Sequence, residues 1–425
     1  MTSDNVRRKF NLLNTPAFVL LILFVAYMIN SFTHFRLGND VLRYIQLKEW
    51  LETGKQPVMD IRNNLPYGYP VFLLLLSKFS LCNSFFIVLA NYLYLAGSLY
   101  FVSRIFQSSI KAWHLVALTL LNWSVVKCAV TPLSDIQYMF FSTGALYFFT
   151  AYMADKKTGY IAGTLIFSFL AIITRTIGVL LIFSLALALV LQRKSTYKTE
   201  APERKVLLPA SALVLILVVL SSRFFRIQDY IHLMLSYYKI KPLEFWTTSI
   251  QWHLTDLAEV FINTSKFKIN FINPVIKEMT FMTAGVLSLA YLIRLIIKKS
   301  KNIPVVIIIY LVSYIVTVFN WPTYDARFWV PVVPFFVALI LHTSPPAKPY
   351  FRYVLFLWKF IYVCLGAFVI GYYSYLTLNK TAFAEKHDAG IWRKEYEAHF
   401  GIMPADHRDG EVSPYIMHVL STHDR

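Results

Sequence analysis

The stretch Tyr353-Val-Leu-Phe-Leu-Trp-Lys-Phe-Ile-Tyr-Val-Cys-Leu-Gly-Ala-Phe-Val-Ile-Gly-Tyr-Tyr-Ser-Tyr-Leu376 carries one charge, Lys359, and no proline. An apolar run of about 20 residues is what a helix needs to cross roughly 30 Å of hydrocarbon. One such run could be a buried core helix. Similar runs recur near 14–33, 82–106, 112–130, 134–154, 158–174, 176–192, 206–222, 275–297, 303–319 and 328–343, which with 353–376 makes about eleven. Composition agrees, with 57% of residues hydrophobic and 15% charged, against about 25% charged in a soluble domain. Mean hydropathy is +0.53. The predicted fold class is an all-α polytopic membrane protein with about eleven transmembrane helices.

Net charge is +18, from 41 Lys and Arg against 23 Asp and Glu. The cations are spread over short loops between apolar runs, so they read as orientation signals at a membrane surface, and no nucleic-acid partner is expected. Arg7, Arg8 and Lys9 precede the first run, which ends in Asn30, Ser31, Phe32 and Thr33 without a small-x-small cleavage site. It therefore reads as a permanent span that starts in the cytoplasm. Threading onward keeps Lys156 and Lys157, then Arg193, Lys194, Lys198, Arg204 and Lys205, then Lys298, Lys299 and Lys301, then Lys348 and Arg352 inside. Three long segments fall outside: 33–81, 223–274 and the tail 377–425. The spans and the first two external segments form one domain over 1–376. A bacterial inner membrane is the expected location, with these segments facing outward and membrane lipids around the spans.

Cys82, Cys128 and Cys364 lie in apolar context without a Cys-x-x-Cys pair, so they read as packing residues and not as a disulfide or metal framework. There is no internal repeat, which weighs against a transporter built from two similar halves. In the first external segment, Asp40-Val-Leu-Arg-Tyr-Ile-Gln-Leu-Lys-Glu-Trp-Leu51 predicts a short amphipathic juxtamembrane helix lying in the interface, stopped at Gly54. In the second, Tyr230, Tyr237, Tyr238, Trp246 and Trp252 among polar residues predict interfacial helices. The tail has charges of both signs and weak periodicity, and reads as a small external cap without a predicted element.

The threading gathers Asp40, Asp135, Arg175, Arg327 and Lys127 on one side. Any one of them could snorkel to the headgroups. As a group at membrane depth they point to function. Two carboxylates and several cations on one face suit sugar transfer from an isoprenoid phosphate, which needs a base for the acceptor proton and cations for the leaving phosphate. Arg grips phosphate oxygens in pairs, so Arg62, Arg175 and Arg327 are the donor-phosphate candidates, with Lys127 a further cation. Asp40 fits the base. Tyr44, Tyr67, Tyr69 and Tyr324 lie beside these motifs and are candidate substrate-groove residues.

Several motifs share one order and one side: Asp40-x-x-x-Tyr44 with a helix ending at Gly54; Leu65-Pro66-Tyr67-Gly68-Tyr69-Pro70 leading back to the membrane; and Ser134-Asp135 after a proline. Thr174-Arg175-Thr176-Ile177-Gly178 and Arg327-Phe-Trp-Val-Pro331-Val-Val-Pro334 follow. Over about residues 14–343 this pattern resembles the GT-C superfamily of polyprenyl-phosphate-sugar glycosyltransferases, especially protein O-mannosyltransferases and the lipid A aminoarabinose transferase. The resemblance implies a GT-C-like fold and an inverting transfer with Asp40 as base. Many relatives carry a second acid after that Asp; here Val41 follows, and Asp135 is the candidate second catalytic carboxylate. Aminoarabinose-type relatives contact donor phosphate through a Lys before a Pro pair, and the matching stretch here is Arg62-Asn-Asn-Leu-Pro66.

The implied partners are an isoprenoid-phosphate sugar donor and a glycan, lipid or protein acceptor. No cofactor is implied. Transfer in the relatives does not generally require a metal, although oligosaccharyl relatives use one, and with no ligand cluster beyond Asp40 and Asp135 no metal is expected. Two other readings stay open. An O-antigen polymerase or ligase places its largest loop late in the chain, and a transporter places charges near the midplane. Here the best acidic motif follows the first span and the charges sit at one rim.

Overall fold

Within hydrocarbon every backbone N–H and C=O must find a partner inside its own segment, so apolar runs of this length become helices. The computed structural model describes residues 15–54, 65–107, 109–193, 227–240, 242–269, 272–342, 349–402 and 411–424. Among the described residues there are helices and connecting turns but no strand. The predicted span 206–222 lies outside the described residues, as does Arg62.

The chain opens with α1 (Thr15–Ser31), α2 (Asn39–Thr53), α3 (Gly68–Lys78) and α4 (Ser84–Ile105). There follow α5 (Ala112–Leu120), α6 (Trp123–Ala129), α7 (Asp135–Asp155), α8 (Thr158–Thr174) and α9 (Val179–Arg193). Next come α10 (Ile227–Ile240), α11 (Pro242–Ile262), α12 (Pro274–Lys299), α13 (Val305–Phe319) and α14 (Val333–Leu341). The long α15 (Pro349–Leu378) leads into α16 (Lys380–Lys386), α17 (Arg393–Phe400) and α18 (Pro414–His423).

Three helices are individually long and apolar enough to cross a membrane: Ser84–Ile105, Pro274–Lys298 and Arg352–Leu378. Shorter apolar helices surround them. Phe356, Phe360 and Phe368 of α15 are 67%, 58% and 71% exposed, an outward apolar face that water would penalise and lipid would not. The chain is an integral membrane protein, and α7 buries the polar side chains of Gln137, Ser142 and Thr143 among its apolar ones.

The run 112–130 is not one straight span. α5 and α6 meet at 74°, because Asn122 starts a new helix by accepting the N–H of Val125. The groups freed by the break are satisfied from elsewhere. Asn263 donates to the Leu121 carbonyl at 2.9 Å and accepts the Trp123 N–H at 2.6 Å. Such side-chain repair is what permits a broken helix inside a membrane protein. The run 328–343 differs as well: residues Ala326–Val332 form a 3-10 turn containing Pro331, and α14 begins only at Val333. Proline removes a donor and tightens the approach.

α2 ends as expected, with Gly54 at φ 69° and its N–H on the Trp50 carbonyl at 2.8 Å. It does not simply lie in an interface. Gln46 and Lys48 are buried together with Val41, Leu42, Ile45 and Leu47, because the tail covers its outer side. The Tyr396 hydroxyl donates to the Phe35 carbonyl at 2.7 Å and accepts the Leu37 N–H at 2.8 Å. Asp424 accepts the Phe35 N–H at 2.8 Å. The tail is therefore a helical clamp on the strand-like stretch that leads into Asp40.

Residues 223–274 also depart from a purely interfacial reading. α10 and the first half of α11 expose Tyr237 and Trp246, but His253, Asp256 and Glu259 of α11 are buried. Gly68 fixes the start of α3 against the end of α8: a Cβ there would meet the Ile173 carbonyl oxygen at 2.5 Å. Gly68→Ala should therefore destabilise the protein by about 1–3 kcal/mol, the cost of forcing extra volume into a packed site. Thermal melts of the purified variant check this; an unchanged midpoint would mean that α3 slides freely.

Candidate active site

Five separated segments bring their charges together. Asp40 stands in the first turn of α2, where a carboxylate also complements the helix dipole. Its carboxylate forms an ion pair with the Arg327 guanidinium, and Arg43 lies on its other oxygen at 3.3 Å. Arg327 is aimed by Asp325, which accepts its backbone N–H at 2.9 Å and approaches its Nε at 3.3 Å. The ammonium of Lys127, from the last turn of α6, is 3.8 Å from the same Asp325 carboxylate. Asp135, at the start of α7, pairs with Arg175, which follows the end of α8.

The cluster thus holds Asp40, Asp135 and Asp325 against Arg43, Lys127, Arg175 and Arg327, one cation in excess. Burial alone would raise the Asp40 pKa, but Arg327, then Arg43 and Arg175, outweigh it and hold the carboxyl below its ordinary range. Asp325 behaves likewise: burial opposes ionisation, and Lys127 and Arg327 win. Both carboxylates are ionised at neutral pH. Asp135 is 1% exposed, and one of its oxygens has no hydrogen-bond partner among the described residues.

The tyrosines divide. The Tyr44 hydroxyl is 2.7 Å from the Ser134 hydroxyl, and its ring meets that of Tyr69 edge-on at 4.8 Å, so both form the wall beside Asp135. Tyr67 sits further out, its ring 6.0 Å from Trp50, and Tyr324 is 48% exposed beside Trp252. The structure therefore brings together Asp40, Asp135, Arg175, Arg327, Lys127, Tyr44 and Tyr69.

Sequence reasoning missed Arg43 and the acids of α11. Asp256 and Glu259 stand three residues apart and so share one helix face, a signal hidden by the surrounding aromatics. His253 Nε2 lies 2.9 Å from the Trp321 carbonyl, which can only accept, so that nitrogen carries a proton; Nδ1 faces Asp256 at 3.3 Å. Glu259 accepts the Lys266 N–H at 2.7 Å. Burial nonetheless pushes the Glu259 carboxyl up to about 8. A raised carboxyl pKa stabilises the fold at low pH and withdraws that stability as pH rises through the folded-state value. Melting temperature should thus fall between about pH 4.5 and pH 8, and Glu259→Gln should flatten that fall. Melts of both proteins across this window check it; parallel curves would exclude Glu259 as the source.

Among the described residues no group of three or more His, Cys, Asp or Glu side chains is arranged to hold a metal ion. No protein-family model matches the chain, and no curated protein matches it. Solved structures are similar. The crystal structure of ArnT from Cupriavidus metallidurans in the apo state shares 15% identity at a TM-score of 0.49, over 90% of this chain and 67% of that one. The same protein bound to undecaprenyl phosphate shares 13% at 0.49, over 96% of this chain and 77% of that one. The archaeal oligosaccharyltransferase AglB from Archaeoglobus fulgidus, in complex with an inhibitory peptide and a dolichol-phosphate, shares 12% at 0.48, over 96% of this chain and 64% of that one. At these scores the likeness decides neither fold family nor activity.

Proposed function

We propose that this chain is a GT-C-like membrane glycosyltransferase that moves a sugar from a polyprenyl-phosphate donor to an acceptor hydroxyl or amine on the external face, with inversion. The eleven-span threading, with a cytoplasmic N-terminus and Asp40 facing outward, belongs to the same reading. The observation that carries it is the Asp40–Arg327 ion pair, a carboxylate and a guanidinium 287 residues apart in sequence, in a cluster with one cation in excess.

The pair explains how a base could be kept off duty until donor arrives. Arg327 depresses the basicity of Asp40. A donor phosphate competes for the same guanidinium fork, which frees the carboxylate and restores its affinity for a proton. The acceptor oxygen or nitrogen then attacks the anomeric carbon and its proton passes to Asp40. The carbon–oxygen bond to phosphate breaks, and its electron pair leaves on the phosphate, where Arg327 and Lys127 balance the added charge. Asp135 and Arg175, buried and paired, hold the floor of the site.

Arg327→Lys should weaken binding of a synthetic polyprenyl-phosphate sugar by about one to two powers of ten, since an ammonium cannot reproduce the two-donor fork and such charged hydrogen bonds are worth roughly 1.5–3 kcal/mol. Donor titrations on folded, detergent-purified protein check this. Unchanged affinity in both Arg327→Lys and Arg327→Ala would sink the reading of Arg327 as a phosphate contact.

A further inference from the structure

Arg36 lies outside the ion-pair cluster and has no counter-charge in ion-pair contact among the described residues. It is 1% exposed, makes no ion pair among the described residues, and its Nε and Nη2 have no hydrogen-bond partner there. Its guanidinium sits over the rings of Tyr373 and Phe383, 4.7 and 5.0 Å from their centroids. Ring faces attract the charge but take up none of the in-plane N–H groups. A buried cation with dry donors is among the costliest arrangements in a protein. The two orphan nitrogens are also the side-on pair of the guanidinium, whose N–H bonds run parallel and match two oxygens of one oxyanion.

The surroundings bring further cations, against one acid, Asp388, whose charge reaches Lys268. Lys268 is exposed, makes no ion pair among the described residues, and places its ammonium 5.5 Å from the ring centre of Tyr372, the neighbour of Tyr373 on α15. Lys127 approaches from α6, already shared with Asp325. His387 donates its Nε2 proton to the Leu37 carbonyl at 2.8 Å. Its pKa falls to about 3, chiefly through burial and then through Arg36, Lys127 and Lys268, so it stays neutral. The Tyr92 hydroxyl, within electrostatic reach of Arg36, is buried without a partner as well. A purely cohesive role, gluing the stretch before Asp40 to the tail, would need the aromatic contacts but not the unfilled fork.

We propose that Arg36 and Lys268, at the Tyr372–Tyr373 corner of α15 under the C-terminal clamp, form a second anion site that takes a phosphate-class oxyanion. Lys268 is the exposed member of the pair and Arg36 the buried one. The site shares no cation with the Asp40–Arg327 and Asp135–Arg175 pairs, so it does not rest on the transfer reading.

Calorimetric titration of inorganic phosphate onto the full chain in phosphatidylcholine nanodiscs tests it. Arg36→Met should remove one class of bound phosphate, or weaken it at least tenfold, and Arg327→Met should leave that class intact. Full phosphate binding by Arg36→Met overturns the site, whatever Arg327→Met does. Loss in Arg36→Met with no change in Arg327→Met leaves this site standing and counts against Arg327 as a donor contact. Should Arg36→Met fail to fold, Arg36→Lys, which keeps the charge and loses the fork, and the exposed Lys268→Met carry the test. Each should weaken the Arg36-dependent class several-fold, and unchanged affinity in both overturns it. Repeating the titration in phosphatidylglycerol nanodiscs identifies the source. Displacement of the Arg36-dependent phosphate marks a lipid headgroup, and its persistence marks an oxyanion arriving from solution or on an acceptor.

Discussion

Asp40→Asn should lower the rate of sugar transfer by about 10²–10⁴, the usual loss when a general base is removed, while melting behaviour and donor affinity change little. The carboxamide keeps the shape, and its one oxygen still accepts from Arg327, so α2 loses only the half-exposed contact with Arg43, which lies on the other oxygen. What disappears is the group that takes the acceptor proton. The pH profile gives an independent readout. Asp40 works only when ionised, so activity falls as pH drops through its pKa. In the free protein Arg327 holds that pKa below the ordinary carboxylate range, and the acid limb of kcat/KM should sit correspondingly low. Donor bound to Arg327 removes the restraint, so the acid limb of kcat should lie at higher pH than that of kcat/KM. Retention of more than about a tenth of wild-type transfer by Asp40→Asn, set against the expected loss, would take Asp40 out of the base role.

The helices were legible because their signal is local. α4, α12 and α15 each fill an apolar run whose length fits a bilayer, α1, α8 and α13 fill shorter apolar runs, and Gly54 stops α2 by a conformation that glycine adopts cheaply. The break between α5 and α6 was not legible. Its sequence, Leu120-Leu-Asn-Trp123, is as apolar as a straight span, and the side chain that makes the break affordable, Asn263, comes from far along the chain. The candidate site shows the same division. Asp40, Asp135, Arg175 and Arg327 stand out as ionisable groups near membrane depth, a property of position alone. Which acid holds which base is a tertiary fact: nothing near Asp40 in sequence points to Arg327. Asp256 and Glu259 were hidden by neighbours typical of a membrane interface, and the tail by side chains whose partners, Phe35 and Leu37, lie near the other end of the chain.

The Asp135–Arg175 pair should show the largest effect on stability, and an uneven one. Asp135 is 1% exposed at its side chain and Arg175 18%. Removing the guanidinium in Arg175→Met strands a carboxylate that cannot reach water, and breaking a buried pair in this way costs about 3–5 kcal/mol. Asp135→Asn leaves a cation with a partial path to solvent and a carboxamide that still accepts one of its hydrogen bonds, so it should cost less. The double variant Asp135→Leu/Arg175→Met removes both charges and should recover much of the loss, because replacing a buried ion pair by apolar groups of similar volume is often neutral or better. Unfolding midpoints of the wild type, Asp135→Leu, Arg175→Met and this double variant form a double-mutant cycle that measures the coupling. Equal losses in the two single variants, or a double variant no better than Arg175→Met, would show that the pair is not insulated from water. The folded double variant then separates structure from chemistry. Full transfer would make the pair a support beneath Asp40 and Arg327, and loss of donor affinity would return Arg175 to the phosphate.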